Sequence, residues 1–121
     1  INGPRDLVGK PVGTTRGSTA AVYLNEAKAQ VIEFEKVDDL YNALLNREID
    51  AVVFDAPALH YYETHDGRGL AKIVGAVFHK EDYGIVFPTG SPLRKHVNEA
   101  LLALRENDTY QRIYEEWFGK R

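Results

Sequence analysis

The chain has 121 residues, of which 44% are hydrophobic, and this is enough for a single domain with its own core. Its 15 basic and 18 acidic residues give a net charge of −3, which offers no electrostatic basis for binding nucleic acid. The absence of cysteine excludes disulfides and thiolate metal sites, and the longest apolar runs are far shorter than the ~20 residues that span a bilayer. Because the sequence begins at Ile1 and contains no methionine, we interpret it as an excised or mature segment.

Apolar periodicity predicts alternating strands and helices over the first half of the chain. The predicted order is strand 11–15, helix 18–28, strand 31–34, helix 37–45, strand 50–54 and helix 55–63. Asp38 is the expected N-cap of the second helix.

The second half is predicted to begin with a turn at 65–69 and two further strands, 70–74 and 83–87. A helix then starts at Ser91, with serine as its cap and Pro92 at its first position. After a break at 107–108, a last helix carries 110–118 and ends at Gly119.

Such alternation predicts an α/β fold with a parallel sheet, right-handed crossovers and helices on both faces. Ligands bind these sheets beyond the carboxyl ends of the strands, where the strand order reverses. If the first strand lies between the second and third, the loop 17–19 and Asp55 bound that crevice.

The loop after the first strand is the first candidate site. Gly13 and Gly17 allow a sharp turn and close approach of a ligand, and Ser18 or Thr19 is a suitable N-cap for the helix that follows. The first turn of a helix presents amide groups and partial positive charge, which suit a carboxylate or a phosphate. The alternative is a well-capped strand–helix loop without a ligand.

Asp55 is the second candidate. Its carboxylate can accept the α-ammonium of an amino acid, or it can cap the helix that begins at Ala56-Pro57, and both roles are compatible. Together with the anion-binding loop, it makes a site for a zwitterion.

The sequence does not indicate a nucleotide site, a metal site or a catalytic site. The loop 13–19 lacks the Gly-Lys-Ser/Thr ending of a phosphate-binding P-loop, and Arg16 is expected to be exposed. His60, Glu63 and His65 do not match a known metal-ligand spacing, and there is no nucleophile, base or cofactor motif. We therefore expect no enzyme activity, metal or cofactor. A small phosphate- or nucleotide-binding enzyme domain and a purely structural module remain as alternatives.

Five stretches carry a family likeness that covers nearly the whole chain. They are 6–14, 16–21 with its Gly-Ser-Thr sequence, 49–57, 83–93 and 110–119. They resemble the second half of a type II periplasmic binding protein, of the family that binds polar amino acids. Within this group the chain is most similar to the second ligand-binding segment of bacterial ionotropic glutamate receptors, the glutamate-gated potassium channels.

This resemblance implies a periplasmic-binding-protein-like II fold in which residues 1–90 form lobe 2 and the helices of 91–121 return to lobe 1. It assigns Gly17, Ser18 and Thr19 to ligand carboxylates and Asp55 to the α-ammonium. An arginine on the missing lobe 1 would grip the α-carboxylate.

The implied function is binding of L-glutamate or another polar amino acid, with closure of the two lobes gating an ion channel. The alternative is one lobe of a soluble binding protein of an ABC transporter. The implied location is periplasmic or extracellular, in a bacterial inner-membrane protein. Without lobe 1, apolar residues of the last helices, such as Leu93, Val97, Leu101 and Leu104, are expected to be exposed and to promote self-association.

Overall fold

The computed structural model describes residues 1–81 and 83–120. They form two compact units, and the boundary lies between Val77 and Phe78. The first unit contains a short 3-10 helix (Pro4–Leu7), β1 (Pro11–Thr15), α1 (Thr19–Glu26), β2 (Gln30–Phe34), α2 (Val37–Leu45), β3 (Ala51–Val52) and α3 (Ala56–Thr64). The second contains α4 (Leu93–Glu106) and α5 (Thr109–Phe118). Among these residues, no helix combines the length and the apolar character needed to cross a membrane.

The three strands form one parallel sheet in the order β2-β1-β3, so the first strand is central. β1 pairs with β2 over all five of its residues, whereas β3 pairs with β1 over only two. Backbone hydrogen bonds from Asp50 N to Pro11 O (2.8 Å) and from Val53 N to Gly13 O (3.0 Å) extend this shorter contact. The predicted strand 50–54 is therefore correct in position but regular only in its middle.

Helices cover both faces of the sheet, as the alternation of strands and helices predicts. One buried cluster joins the central strand to α1, and another joins α2 to the segment that leads into β3. The first cluster consists of Leu7, Val12 and Leu24, and the second of Leu40, Ala43 and Ile49.

Gly13 allows the second cluster to pack directly on the central strand. A Cβ atom at this position would lie 2.6 Å from Ile49 Cδ1 and 2.7 Å from Leu40 Cδ1, inside normal contact distance. The absence of a side chain at Gly13 thus brings α2 close to the sheet.

The first helix, α1, follows its predicted cap Ser18, whereas α2 departs from its prediction. It begins at Val37, so Asp38 lies inside its first turn and the N-cap position belongs to Lys36. Asp38 and Asp39 remain favourable there because carboxylates stabilise the positive end of the helix dipole. The capping role predicted for Asp38 is wrong.

Two predicted strands are not formed. The described residues of 70–74 and 83–87 show no strand pairing. In the first segment, the Ile73 amide donates to the Glu63 carboxylate (3.3 Å). In the second, apolar side chains are solvent-exposed, and Val86 is 94% exposed. Alternating apolar residues produce a strand only where another strand can satisfy the backbone and a core can take the side chains.

The second unit contains a helical pair whose ends lie within one residue of the predicted signals. Ser91 Oγ accepts a hydrogen bond from Leu93 N (3.3 Å), but Pro92 occupies the N-cap position and α4 begins at Leu93, so the predicted cap at Ser91 is one residue too early. Asp108 adopts a left-handed conformation (φ 63°) at the predicted break. Gly119 (φ 82°) ends α5.

This helical pair has no buried side chain among its described residues. The two helices contact each other where the Arg105 guanidinium of α4 lies 4.9 Å from the ring centre of Tyr110 of α5. Within α5, the rings of Tyr114 and Phe118 meet edge to face at 5.0 Å. Large apolar side chains stay substantially exposed on both helices, namely Leu93, Leu101, Leu102, Tyr110, Ile113 and Trp117.

Candidate functional site

The loop between β1 and α1 changes direction at a glycine. Gly17 has φ 69°, in the left-handed region that other residues adopt only at a cost. Ser18 then returns to an extended conformation (φ −83°, ψ 161°) and is the N-cap of α1, as predicted. Gly17 and Thr19 are exposed and Ser18 is half-buried, so solvent and ligand reach this loop.

Hydrogen bonds inside the protein engage the Ser18 hydroxyl from several sides. Ser18 Oγ donates a hydrogen bond to Thr15 O (2.8 Å). The Ala21 amide donates to both Ser18 Oγ (3.2 Å) and the Ser18 carbonyl oxygen (3.1 Å). Ser18 Oγ also lies 3.4 Å from Thr14 Oγ1. A hydroxyl has one proton to donate, and here the proton is directed into the loop. The hydroxyl therefore has no second proton for a further acceptor.

Asp55 occupies the N-cap position of α3, directly after β3. Its backbone carbonyl accepts from Leu59 N (3.0 Å) and so begins the helix. Of the described side chains, none closes the first turn of α3 with a capping hydrogen bond, and Asp55 is exposed. The carboxylate thus does not play the capping role that is one of its two expected functions.

The strand register brings the loop and Asp55 to one edge of the sheet. Gly13 of β1 stands opposite Val52 of β3, and the chain reaches the loop 16–18 and Asp55 a few residues beyond this pair. Adjacent parallel strands are about 4.8 Å apart, so both segments leave the sheet from neighbouring positions at its carboxyl end. The two segments predicted to bound the ligand site thus follow adjacent strands at the carboxyl end of the sheet.

An ion pair anchors the outer side of the same loop. Arg16 Nη1 lies 2.6 Å from Glu35 Oε1, and the Arg16 amide donates to Phe34 O (2.9 Å). Both charged side chains are mostly exposed, as expected for Arg16. The sequence gives no sign of the role of Glu35, because its contact with Arg16 depends on the pairing of β1 with β2.

A second residue that sequence reasoning did not single out is Thr14. Its side chain is completely buried, although it is polar and lies in the central strand. The burial of Thr14 was predictable from its position two residues after Val12. Alternate residues of a strand share a face, and Val12 packs against Leu24 of α1.

The histidines do not form a metal site in the part of the chain that the structure describes, where no group of three or more potential ligands is found. His60 is buried in α3, and the His65 ring stacks on Tyr61 at 3.9 Å. These residues pack with their neighbours.

Two tyrosines form a stacked pair between α2 and α3. The rings of Tyr41 and Tyr62 lie 3.9 Å apart and nearly parallel, and Gly67 leaves room for the Tyr62 ring. Burial raises the pKa of both hydroxyl groups; the neighbouring Tyr62 adds to the effect on Tyr41, and Asp66 to that on Tyr62. This pair packs the two helices together.

Comparison with known proteins assigns the chain to a family. Residues 17–120 match the family of bacterial extracellular solute-binding proteins, family 3. The chain belongs to this family. The predicted resemblance and the periplasmic-binding-protein-like II fold of its lobe are thereby confirmed.

Three relatives show how similar the chain is to proteins with a known structure or ligand. The ligand-binding core of GluR0 from Nostoc punctiforme, solved in complex with L-glutamate, is 49% identical, with a TM-score of 0.81 over 99% of this chain and 57% of that one. An ancestral arginine-binding protein bound to glutamine is 34% identical, with a TM-score of 0.75 over 99% of this chain and 55% of that one. The L-arginine-binding protein of Pseudomonas aeruginosa is 33% identical over 98% of this chain and 51% of that protein. The family 3 chain described here thus spans about half the length of these relatives.

Proposed function

We propose that this chain binds an amino acid, with L-glutamate as the leading candidate, as one half of a two-lobed clamshell. One observation carries the proposal: the loop 17–19 and Asp55 lie at the same edge of the sheet, beyond the ends of adjacent strands. An anion-binding helix start and a carboxylate at that spacing complement the two charges of an amino acid.

The loop binds a ligand carboxylate. Gly17 gives the chain its turn, and the amides of Ser18 and Thr19 lie at the positive end of α1. The Ser18 cap already engages the Ala21 amide, so the carboxylate is bound by the amides that precede it. The Thr19 hydroxyl lies on the first residue of α1 and adds a side-chain donor.

Asp55 binds the ligand ammonium. Asp55 is exposed at the N-cap position of α3, directly after β3, and a carboxylate has lone pairs for several donors, so it can accept a cationic group beside its other contacts. In the two-lobed protein, the second lobe covers the ligand and lowers the surrounding dielectric, and this strengthens the ion pair.

L-glutamate leads among amino acids because of the degree of likeness. The glutamate complex of the GluR0 core is 49% identical to this chain, against 34% and 33% for the arginine-binding relatives. The ligand bridges loop 17–19 and Asp55 to lobe 1, and closure follows because the bridging contacts exist only in the closed state. In a glutamate-gated channel, this closure pulls on the pore.

A second candidate is a lobe of a soluble binding protein that delivers amino acids to an ABC transporter. The likeness to the L-arginine-binding protein over 98% of this chain favours it. The closed form would then dock on a membrane permease. Both candidates imply an extracellular or periplasmic location, and they differ in what lobe closure drives.

In either protein, residues 1–90 serve as lobe 2 and residues 91–121 pack toward lobe 1. The exposed apolar side chains of α4 and α5 are the surface for this contact. When lobe 1 is absent, the same surface supports association of one copy of the chain with another.

The test is an amide NMR titration of the chain with L-glutamate, glutarate, L-arginine and inorganic phosphate. Glutarate keeps both carboxylates of glutamate and lacks the ammonium, so it separates the two halves of the site. The proposal expects millimolar binding of glutamate, about 4 kcal/mol, with shifts at Gly17, Ser18, Thr19 and Asp55. Glutarate should shift only the loop.

The outcomes divide the candidates. A stronger response to arginine than to glutamate favours the transporter-coupled protein. Shifts with phosphate and none with any amino acid contradict the proposal and favour a phosphate-binding domain. No shift with any compound means that this chain alone does not form a binding site.

A further inference from the structure

Thr14 is a completely buried polar residue of the central strand. Burying a hydroxyl costs free energy unless it finds a hydrogen-bonding partner. Valine has nearly the same shape and is common in such strands. The hydroxyl of Thr14 therefore calls for an explanation beyond packing.

The partner of this hydroxyl is the cap of α1. Thr14 Oγ1 lies 3.4 Å from Ser18 Oγ, and Ser18 Oγ donates its only proton to Thr15 O (2.8 Å). With that proton committed, the contact is satisfied by Thr14 donating to Ser18. Ser18 Oγ then has the Thr14 hydroxyl and the Ala21 amide as its two donors.

We propose that Thr14 is a positioning residue for the carboxylate-binding loop. Its buried hydroxyl holds the Ser18 hydroxyl inward, so that Ser18 remains the helix cap and turns its backbone amide toward the bound carboxylate. This inference rests on the proposed function of the loop. It assigns a binding role to a residue that lies beneath the site and does not touch the ligand.

The experiment compares three variants of the full chain. Thr14→Val removes the hydroxyl and keeps the shape, Thr14→Ser keeps the hydroxyl, and Thr15→Val makes the same chemical change on the next residue, whose side chain faces the opposite side of the strand. The first readout needs no ligand: three-bond couplings report the χ1 rotamer of Ser18, and hydrogen exchange reports the Ala21 amide. The second is the Kd for L-glutamate from the amide titration.

We expect Thr14→Val to average the Ser18 rotamer, to speed Ala21 exchange about threefold and to raise the Kd for glutamate about threefold, the low end for one neutral hydrogen bond. Thr14→Ser should match the parent in all three measurements, and so should Thr15→Val. If the valine variant folds poorly, Thr14→Ala compared with Thr14→Ser tests the same hydroxyl.

A single unchanged Ser18 rotamer in Thr14→Val overturns the proposal. Equal effects of Thr14→Val and Thr15→Val also overturn it, because they indicate general loosening of the strand. Failure of the proposed function is a separate result: the parent chain then shows no glutamate response, while the Ser18 rotamer in the unliganded variants still decides the role of Thr14.

Discussion

Replacing Asp55 with asparagine is the most direct test of the zwitterion site. Asp55→Asn keeps the size and the polar character of the side chain and removes its charge. We expect weaker binding of L-glutamate and unchanged binding of glutarate, which has no ammonium. Because Asp55 is exposed, the free energy of unfolding should change by no more than about 0.5 kcal/mol.

The size of the effect depends on how much solvent surrounds the ion pair. In the chain by itself Asp55 is exposed, and an exposed pair contributes about 1 kcal/mol or less, which is about fivefold in Kd. In the closed two-lobed protein the pair is removed from water, and truncation of one partner costs about 2–5 kcal/mol. This corresponds to a rise in Kd of about 30-fold or more.

The assay is the amide titration for the single chain and calorimetry for the chain joined to lobe 1. Asp50→Asn is the matched control, since it removes the same charge from an exposed residue at the opposite end of the third strand and leaves the Asp50 amide bonded to Pro11 O. Equal glutamate affinities for Asp55→Asn and the parent, in the two-lobed protein, would remove Asp55 from the site. Equal losses in the two variants would show that net charge, and not the site, is responsible.

Four further outcomes follow from the packing and the charges. Gly13→Ala should lower the free energy of unfolding by about 1–3 kcal/mol in urea denaturation, because its Cβ meets two core side chains; an unchanged midpoint would contradict the close packing of α2. Ser18→Ala should cost about 0.5–2 kcal/mol in the same assay by removing the cap of α1, and a smaller loss would mean that the cap is not needed. Burial raises the pKa of Tyr41 and Tyr62, because the neutral hydroxyl is favoured in the folded state. The resulting contribution to the free energy of unfolding is complete below about pH 10, the ordinary tyrosine pKa. It is lost as the pH rises through the folded-state pKa values. Ultraviolet titration should therefore show two tyrosines ionising late, and their replacement by phenylalanine should remove that late step. Sedimentation should show concentration-dependent association that Leu102→Glu weakens, since Leu102 is 59% exposed on α4, whereas a monomer at every concentration would refute it.

Local signals were sufficient to predict the first unit. The strand 11–15 is correct to the residue, and Ser18 caps α1 as its chemistry requires. These elements were predictable because each is determined by neighbours in sequence: an apolar run between breakers, or a hydroxyl one position before a helix. The central position of β1 was stated as a condition, because single-sequence periodicity does not reveal which strands pair.

Errors arose where the outcome depended on distant residues. Residues 83–87 have the composition of a strand, yet in this chain Tyr83, Ile85 and Val86 are exposed. Asp38 has the chemistry of an N-cap, yet α2 begins one residue earlier, at Val37. A strand needs a partner, and a helix boundary reflects the packing of its apolar face, here including Leu40, as much as its capping residue.

The candidate site lies between these two cases, because the residues proposed to contact the ligand stand out in the sequence and the buried residue beneath them does not. Gly17, Ser18 and Asp55 were identified from chemistry that is visible in short stretches of sequence. The buried contact between Thr14 and Ser18 requires that the strand and the helix cap share one face. A threonine in an apolar strand is ordinary in sequence, and only its complete burial beneath the cap makes its hydroxyl informative. If the Ser18 rotamer depends on that hydroxyl, then the loop and the strand beneath it act as one unit in holding the carboxylate.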